Sequence, residues 1–285
     1  MKNLINAWKT MRSTFKYLIL SLIALIQLFP LYWLFSFSLK NNVEIFGKNI
    51  WSVMGPPTVF RWNNYVNVLQ NSRILMYLWN SVIVVAVTIL ISTVLATMAS
   101  YAIARMKWKL SNGALLVFLS GMMIPTQAIL VPLLIMMRSS GVYDTYWALI
   151  LPNAALAMPM AVFVFVGFLK TIPRELEEAA CIDGMSIYGI FMRIMIPLIR
   201  PAIATIAIFT YLGTWNELMF AITLVSGGDA HKTITAGVQQ LAGRYYSDWG
   251  KMGAGLALAT IPTLIIYTLL SKQIQKSFTT GALKG

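Results

Sequence analysis

Acidic side chains are scarce: 9 Asp and Glu stand against 22 Lys and Arg in 285 residues, and charged residues of both signs make up only 11%. A water-soluble globule carries about a quarter, so a soluble fold is excluded. A single cysteine, Cys181, excludes an internal disulfide framework and a cysteine-based metal cluster, and a packing role within its own helix is expected for it. A single histidine, His231, makes no metal site and is expected in solvent. There is no His-Glu-x-x-His, no pair of aspartates and no histidine inside an apolar run, which excludes a membrane-embedded hydrolase. Nor is there a Gly-x4-Gly-Lys-Ser/Thr loop to cradle phosphates, so ATP hydrolysis is not expected of this chain.

What the sequence does have is apolar length. Hydrophobic residues make up 58%, and six stretches hold the roughly 20 apolar residues that a helix needs to cross hydrocarbon: 17 to 39, 79 to 103, 113 to 137, 147 to 169, 202 to 225 and 253 to 271. The first follows Lys2, Lys9, Arg12 and Lys16 and is longer than a cleaved signal's core of about 7 to 15 residues, so it is expected to be retained. The net charge of +13 is spread as short clusters between these runs, a topology signal and not a nucleic-acid surface. Of the 22 basic residues, 14 fall on the side of the two termini and of segment 170 to 200, which the positive-inside bias places in the cytoplasm. The expectation is an all-α membrane protein with six transmembrane helices and both termini cytoplasmic. It divides into a tail, first helix and outer segment (1–78), a five-helix core (79–271) and a cytoplasmic tail (272–285).

Local signals mark the runs. Segment 40 to 78 reads as a solvated cap, with a turn at Gly55-Pro56-Pro57 and interfacial anchors Trp51, Trp62 and Trp79. Ser92, Ala96, Ala99 and Ser100 at helical spacing let another helix come close, as ordinary helix packing or as the wall of a gate or pathway. Prolines 125 and 132 are expected to interrupt the third run, and prolines 152 and 159 the fourth. Carbonyls freed there must face protein or a water-filled cavity, which makes Gln127 and Asn153 candidates either for a pathway wall or for locally satisfied kinks. Glu217 is the only acid well inside an apolar run, at a cost of about 2.5 to 3.5 kcal/mol; about ten Leu, Ile, Phe and Val at about 0.3 to 0.6 kcal/mol each outweigh it. Glu217 therefore points into the bundle, where with Trp215 and Asn216 it either lines a sugar path or ties helices together. Residues 226 to 252, with Gly227-Gly228, Gln239-Gln240, Tyr245-Tyr246, Asp248 and Trp249, form a long polar loop.

The segment between the fourth and fifth runs is unlike the rest. Pro173 is expected in the first turn of a short helix, with Glu175, Glu177 and Glu178 where the helix dipole favours carboxylates. Leu176, Ala179 and Ala180 share a face, Gly184 allows a sharp turn, and a second short helix is expected from Ser186 to Ile194, before Pro197 and Pro201.

Glu178-Ala179-Ala180, three residues, Gly184, nine residues, then Ile194-Met195-Ile196-Pro197 resembles the signature of membrane subunits of binding-protein-dependent ABC importers, with Ile196 where the family has leucine. The resemblance implies a short cytoplasmic coupling helix between the fourth and fifth crossings that fits a cleft of an ATPase subunit, with Glu178, Ala179, Ala180, Asp183, Gly184 and Pro197 as docking residues. Trp215-Asn216-Glu217 and the terminal Gly281-Ala282-Leu283-Lys284-Gly285 are similar to motifs of the carbohydrate branch, the maltose-type permeases. That implies one half of a heterodimeric pore in a prokaryotic plasma membrane, a second permease subunit, two ATPase copies holding ATP and Mg, an external sugar-binding protein that the 226 to 252 loop reaches, and a sugar as substrate. No cofactor is expected in this chain. A secondary transporter would instead carry several intramembrane coupling charges and sequence-related halves; one acid and no repeat are found.

Overall fold

A computed structural model of the chain describes residues 2–47, 49–106, 108–241 and 248–282, with side chains between 11 and 269 within those ranges. The described residues are helical with no strand. In chain order the helices are α1 (Lys2–Ser38), α2 (Asn42–Ile45), α3 (Ile50–Met54), α4 (Asn63–Asn71), α5 (Ile74–Arg105), α6 (Ser111–Gly121), α7 (Thr126–Ser139), α8 (Tyr146–Lys170), α9 (Glu175–Ile182), α10 (Ile187–Ile190), α11 (Ile196–Leu198), α12 (Arg200–Trp215), α13 (Met219–Leu224), α14 (Ile234–Gln240) and α15 (Trp249–Ala282), with a π-helical turn at Phe191–Met195. Four helices are long and apolar enough to cross a membrane, Met11–Ser38, Ile74–Arg105, Tyr146–Lys170 and Trp249–Leu269, and six spans result if each of two bent pairs counts as one.

The bends do not all fall where prolines stand. Between α6 and α7 the axis turns by 97°, because Pro125 keeps Ile124 out of helical geometry and itself adopts an extended ψ of 128°. Pro152 and Pro159, by contrast, lie buried inside an unbroken α8, so the expected interruption of the fourth run is not there. Beside the first of them Asn153 donates its side-chain amide to the Leu149 carbonyl at 2.8 Å, which satisfies that buried amide within its own helix. The fifth run breaks instead, between α12 and α13, with neither proline nor glycine in the break.

The chain forms two compact units, one of residues 1–72 with 238–260 and one of residues 73–237 with 261–285. In the second unit, α5 buries Ser81, Val84, Thr88, Ser92, Ala96 and Ser100 along one face. Small residues at fourth positions let α8 approach closely, near enough for the Ser100 hydroxyl to reach the Val162 carbonyl. The 226 to 252 stretch is less loop-like than its composition: α14 is largely buried. The segment before it is latched to α5 by Asn80, which donates to the carbonyls of Ala230 and Lys232 at 2.8 and 2.9 Å, and by Ser81, which accepts from Ile234 N–H at 2.8 Å. His231 is half-buried, edge-on to the Tyr146 ring at 4.8 Å, and not free in solvent. A hydrogen bond from Lys232 holds Asp229 below the usual carboxylate range. Tyr245 and Tyr246 lie outside the described residues.

The first unit is organised around Lys40. Its side chain is 1% exposed, and Nζ donates to the carbonyls of Ser52, Val53 and Gly55 at 2.9, 2.9 and 2.6 Å. The ammonium thus caps the C-terminal end of α3, where helix carbonyls have no partner of their own. Burial pushes the amine below the ordinary lysine range, and the charge of Glu44 partly restores it. Asn64 bonds the carbonyls of Ser38 and Lys40 at 2.8 and 3.0 Å. Replacing Lys40 with methionine, which keeps the length and drops the donors, takes the ammonium away from the carbonyls of Ser52 and Val53, while that of Gly55 still accepts from the Ser36 hydroxyl at 2.9 Å, and is expected to cost about 2 kcal/mol. The check is limited proteolysis of segment 41–62 in detergent; a cleavage rate like that of the parent protein would refute it.

Candidate functional site

Two features of the second unit carry chemistry: the short-helix segment around Gly184, and a cavity beside the break in the fifth run.

The segment begins as the sequence predicts in its charges and two residues later in its boundary. Helix α9 starts at Glu175 with Arg174 as its N-cap, so Pro173 precedes it, and Glu175, Glu177 and Glu178 occupy the first turn. It ends in a left-handed turn at Gly184, φ +80°. There Gly184 N–H reaches the Cys181 carbonyl at 3.0 Å and Met185 N–H reaches the Ala180 carbonyl at 2.9 Å, the paired bonds of a Schellman cap. No atom lies within 4 Å of where a Cβ on Gly184 would stand, so glycine is needed for its backbone and not for space. Ser186 then caps α10 by accepting from Gly189 N–H at 3.3 Å. The second helix is not one piece to Ile194: it widens into the π turn and tightens again at Ile196–Leu198, with Pro197 supplying no amide to the ladder.

The cap decides what the segment shows to solvent. Ala180, expected on a partner-facing surface with Leu176 and Ala179, is 5% exposed and packs with Met185 into the chain's own core, because the Schellman bond folds residue 185 back over residue 180. Glu178, Ala179, Asp183 and Gly184 are exposed and Pro197 is half-buried. Cys181 is exposed too, not packed. The protruding apolar side chains are ones that the sequence reading passed over: Ile182, 87% exposed, and Tyr188, 79%, with Met192 beside them in the chain.

Behind the segment sits Arg105, the last residue of α5, which composition treats only as one of the charges that set topology. Its side chain is 4% exposed and its Nε meets Glu177 Oε2 at 2.9 Å. Nη1 donates to the carbonyls of Leu169 and Ile172 at 3.3 and 3.0 Å, and Nη2 to that of Pro173 at 3.3 Å.

The cavity, of about 360 Å3, lies among Thr126 at the head of α7, Asn153 and Met160 on α8, Phe209, Thr210 and Thr214 on α12, and Glu217 and Phe220 at the break. Of the five pathway candidates, Asn153 and Glu217 line it. Gln127 is exposed and leaves the wall to its neighbour Thr126; Trp215 is buried, stacked on Tyr211 at 5.4 Å; Asn216 is exposed. Trp215-Asn216-Glu217 accounts for the break itself. Asn216 ends α12, its amide donating to the Leu212 carbonyl at 2.8 Å. Glu217 stands two residues before α13 and reaches into its first turn, its two oxygens accepting from Phe220 and Ala221 N–H at 2.7 and 3.1 Å, while its backbone carbonyl accepts from the Thr235 hydroxyl at 2.9 Å. The carboxylate therefore takes the place of the water that a helix end would find outside a membrane.

Residues 92–280 match the profile of the family described as binding-protein-dependent transport system inner membrane component. The chain belongs to this family. It is 37% identical over 273 residues to the probable ABC transporter permease protein YurM of Bacillus subtilis (strain 168), spanning 96% of this chain and 88% of that one. It is 30% identical over 280 residues to the trehalose transport system permease protein SugB of Mycobacterium tuberculosis (strain CDC 1551 / Oshkosh), spanning 96% and 98%. It is 31% identical over 265 residues to the arabinooligosaccharides transport system permease protein AraQ of Halalkalibacterium halodurans, spanning 92% and 93%. The fold is that of a chain in the crystal structure of a bacterial ABC transporter involved in the import of alginate, with a TM-score of 0.76 at 19% identity over 92% of this chain and 96% of that one. The chain is thus a multi-pass plasma-membrane permease component of a bacterial ABC importer, a transport part and not an enzyme, and its family works with a partner permease, an ATPase and a substrate-binding protein. An ion-coupled secondary transporter finds no support: the one acid deep in an apolar run is bonded to backbone amides.

Glu217→Ala is expected to leave the first-turn amides of Phe220 and Ala221 without their carboxylate and to lower stability by about 1 to 2 kcal/mol, the size of a lost helix cap, with Glu217→Gln, which keeps one acceptor, losing less. Melting of the purified protein in detergent measures both; equal midpoints for the two variants and the parent would rule the cap out.

Proposed function

We propose that the chain is one half of a heterodimeric pore through which an ATP-driven importer takes up an oligosaccharide or related sugar handed over by an extracellular binding protein. The trehalose and arabinooligosaccharides of the relatives' names support the sugar class. A second permease subunit completes the pore, and two copies of a cytoplasmic ATPase, which hold ATP and Mg, drive it. Helices α6 and α7 together make one crossing and α12 with α13 another, so that six crossings leave both termini in the cytoplasm, as the basic-residue bias favours. Functionally the chain divides into the first helix and outer segment (1–78), the permease core (79–271) that carries the coupling segment 170–200, and a cytoplasmic tail (272–285); Leu283, Lys284 and Gly285 of that tail lie outside the described residues.

The observation that carries this reading is the Gly184 turn. It holds Ile182 and Tyr188 out from the chain on a short helix pair that interrupts two apolar stretches. A helix end bearing isolated large apolar side chains among carboxylates fits a partner's cleft better than it fits open water. Glu178, Ala179, Asp183 and Gly184 form the docking surface, Pro197 ends it, and Ala180 fixes its shape from beneath. Asn153 and Glu217 line the pathway, while Trp215 and Asn216 hold the break that shapes it and Gln127 faces outward.

Purification of the chain from its native membrane in mild detergent is expected to bring down an ATPase, a second multi-helix permease and a sugar-binding lipoprotein, identified by mass spectrometry. Recovery of this chain alone in a preparation that still transports would sink the proposal. Gly184→Val is expected to insert normally but to lose the ATPase, since a left-handed φ costs a side-chain-bearing residue about 1 to 2 kcal/mol and more with a branched Cβ. Gly184→Asn, which tolerates that φ, is expected to retain it. Equal recovery of ATPase by the valine and asparagine variants would show that the turn does not matter.

A further inference from the structure

We infer that Arg105 is the strut that ties the coupling segment to the two long helices behind it, so that a push on α9 moves α5 and α8 as one body. This positioning role rests on the proposed docking of the segment around Gly184. One guanidinium joins three elements. It belongs to the end of α5; it donates to carbonyls at the end of α8 and in the link that follows, Leu169, Ile172 and Pro173; and it pairs with Glu177 in the first turn of α9. Both helix ends favour this arrangement electrostatically: a cation at the C-terminus of α8 and a carboxylate at the N-terminus of α9 each sit at the dipole end of opposite sign.

The chemistry needs arginine. Four acceptors spread around one planar group match a rigid fork of five donors, whereas a lysine offers a single point. The link between α8 and α9 is the place where motion of the segment could otherwise be absorbed, and two of its carbonyls, at Ile172 and Pro173, are held by Arg105. One turn earlier on α5, Tyr101 packs against Phe191 of the π turn with ring centroids 5.2 Å apart, and Ala180, Ile190 and Met195 share a buried cluster with Tyr101, Phe165 and Leu169. Apolar packing is non-directional and permits sliding; the ion pair and its carbonyl bonds fix the register.

The test uses the intact transporter in a Cys181→Ser background, with nitroxide labels at Glu175→Cys on α9 and at the exposed Met98→Cys on α5. Pulsed electron resonance then reads the distance between them with and without ATP, Mg and vanadate. The expected result with Arg105 in place is a single narrow distance in both states, which is lost in Arg105→Gln and in Glu177→Ala while the ATPase still co-purifies; Glu177→Gln, which keeps the acceptor, restores it. A narrow distance in the assembled Arg105→Gln or Glu177→Ala transporter would overturn the inference. If Arg105→Gln does not assemble, Glu177→Ala decides, because it leaves the carbonyl bonds intact. Failure of the docking proposal reads differently: the parent chain itself brings down no ATPase.

Discussion

A backbone that leaves the helix inside hydrocarbon has no water to bond, and each exposed amide or carbonyl there costs several kcal/mol. Much of the irregular architecture of this permease answers that one constraint. Asn216 and Glu217 serve the two sides of the break between α12 and α13, Asn153 turns its own amide back onto the Leu149 carbonyl, and at the ends of the runs Arg105 and Lys40 hold backbone carbonyls in the same way.

The same constraint assigns roles within Trp215-Asn216-Glu217. A half-buried acid that lines a cavity invites a reading as substrate ligand, yet each Glu217 oxygen also accepts from an amide of the next helix. What the motif contributes to the cavity is shape. The broken fifth run brings Gly213, Thr214 and Phe220 around a space that an unbroken helix would fill, and Thr126 enters from the other broken run, just past Pro125. A cavity that adjoins two breaks has walls able to move at their capped joints, as a pathway must if it is to open alternately to each side.

Much of this was legible in the sequence, for stated reasons, and some was not. Apolar length found the membrane runs, and the left-handed preference of glycine found the turn at Gly184. The proline rule gave the α6–α7 bend and misjudged α8, because whether proline breaks a membrane helix depends on the packing around it, and Pro152 and Pro159 are both buried against neighbouring helices. The α12–α13 break carries no proline or glycine; its signal was Asn followed by Glu in an apolar run, two capping residues where hydropathy alone sees only a cost. Ala180 was placed on the wrong side because helical spacing gives a face but not its direction. The inward direction follows from Met185 folding back over it, a consequence of the same glycine.

Arg105 was hardest to see, since in sequence it is one of 22 basic residues and lies 72 positions from its partner. Topology counting treats such charges as interchangeable, and for orientation in the bilayer they are. Burial removes the equivalence. An arginine side chain 4% exposed must have acceptors on nearly every side, and a site with that many acceptors can exist only where several chain segments end together. Buried ion pairs of this sort add little net stability compared with apolar packing, while removing one partner is costly. Their distinctive property is directional: they permit one arrangement of the groups they join and oppose its neighbours. At the meeting of α5, α8 and α9, that property is what a joint needs if it is to pass on a displacement without yielding to it.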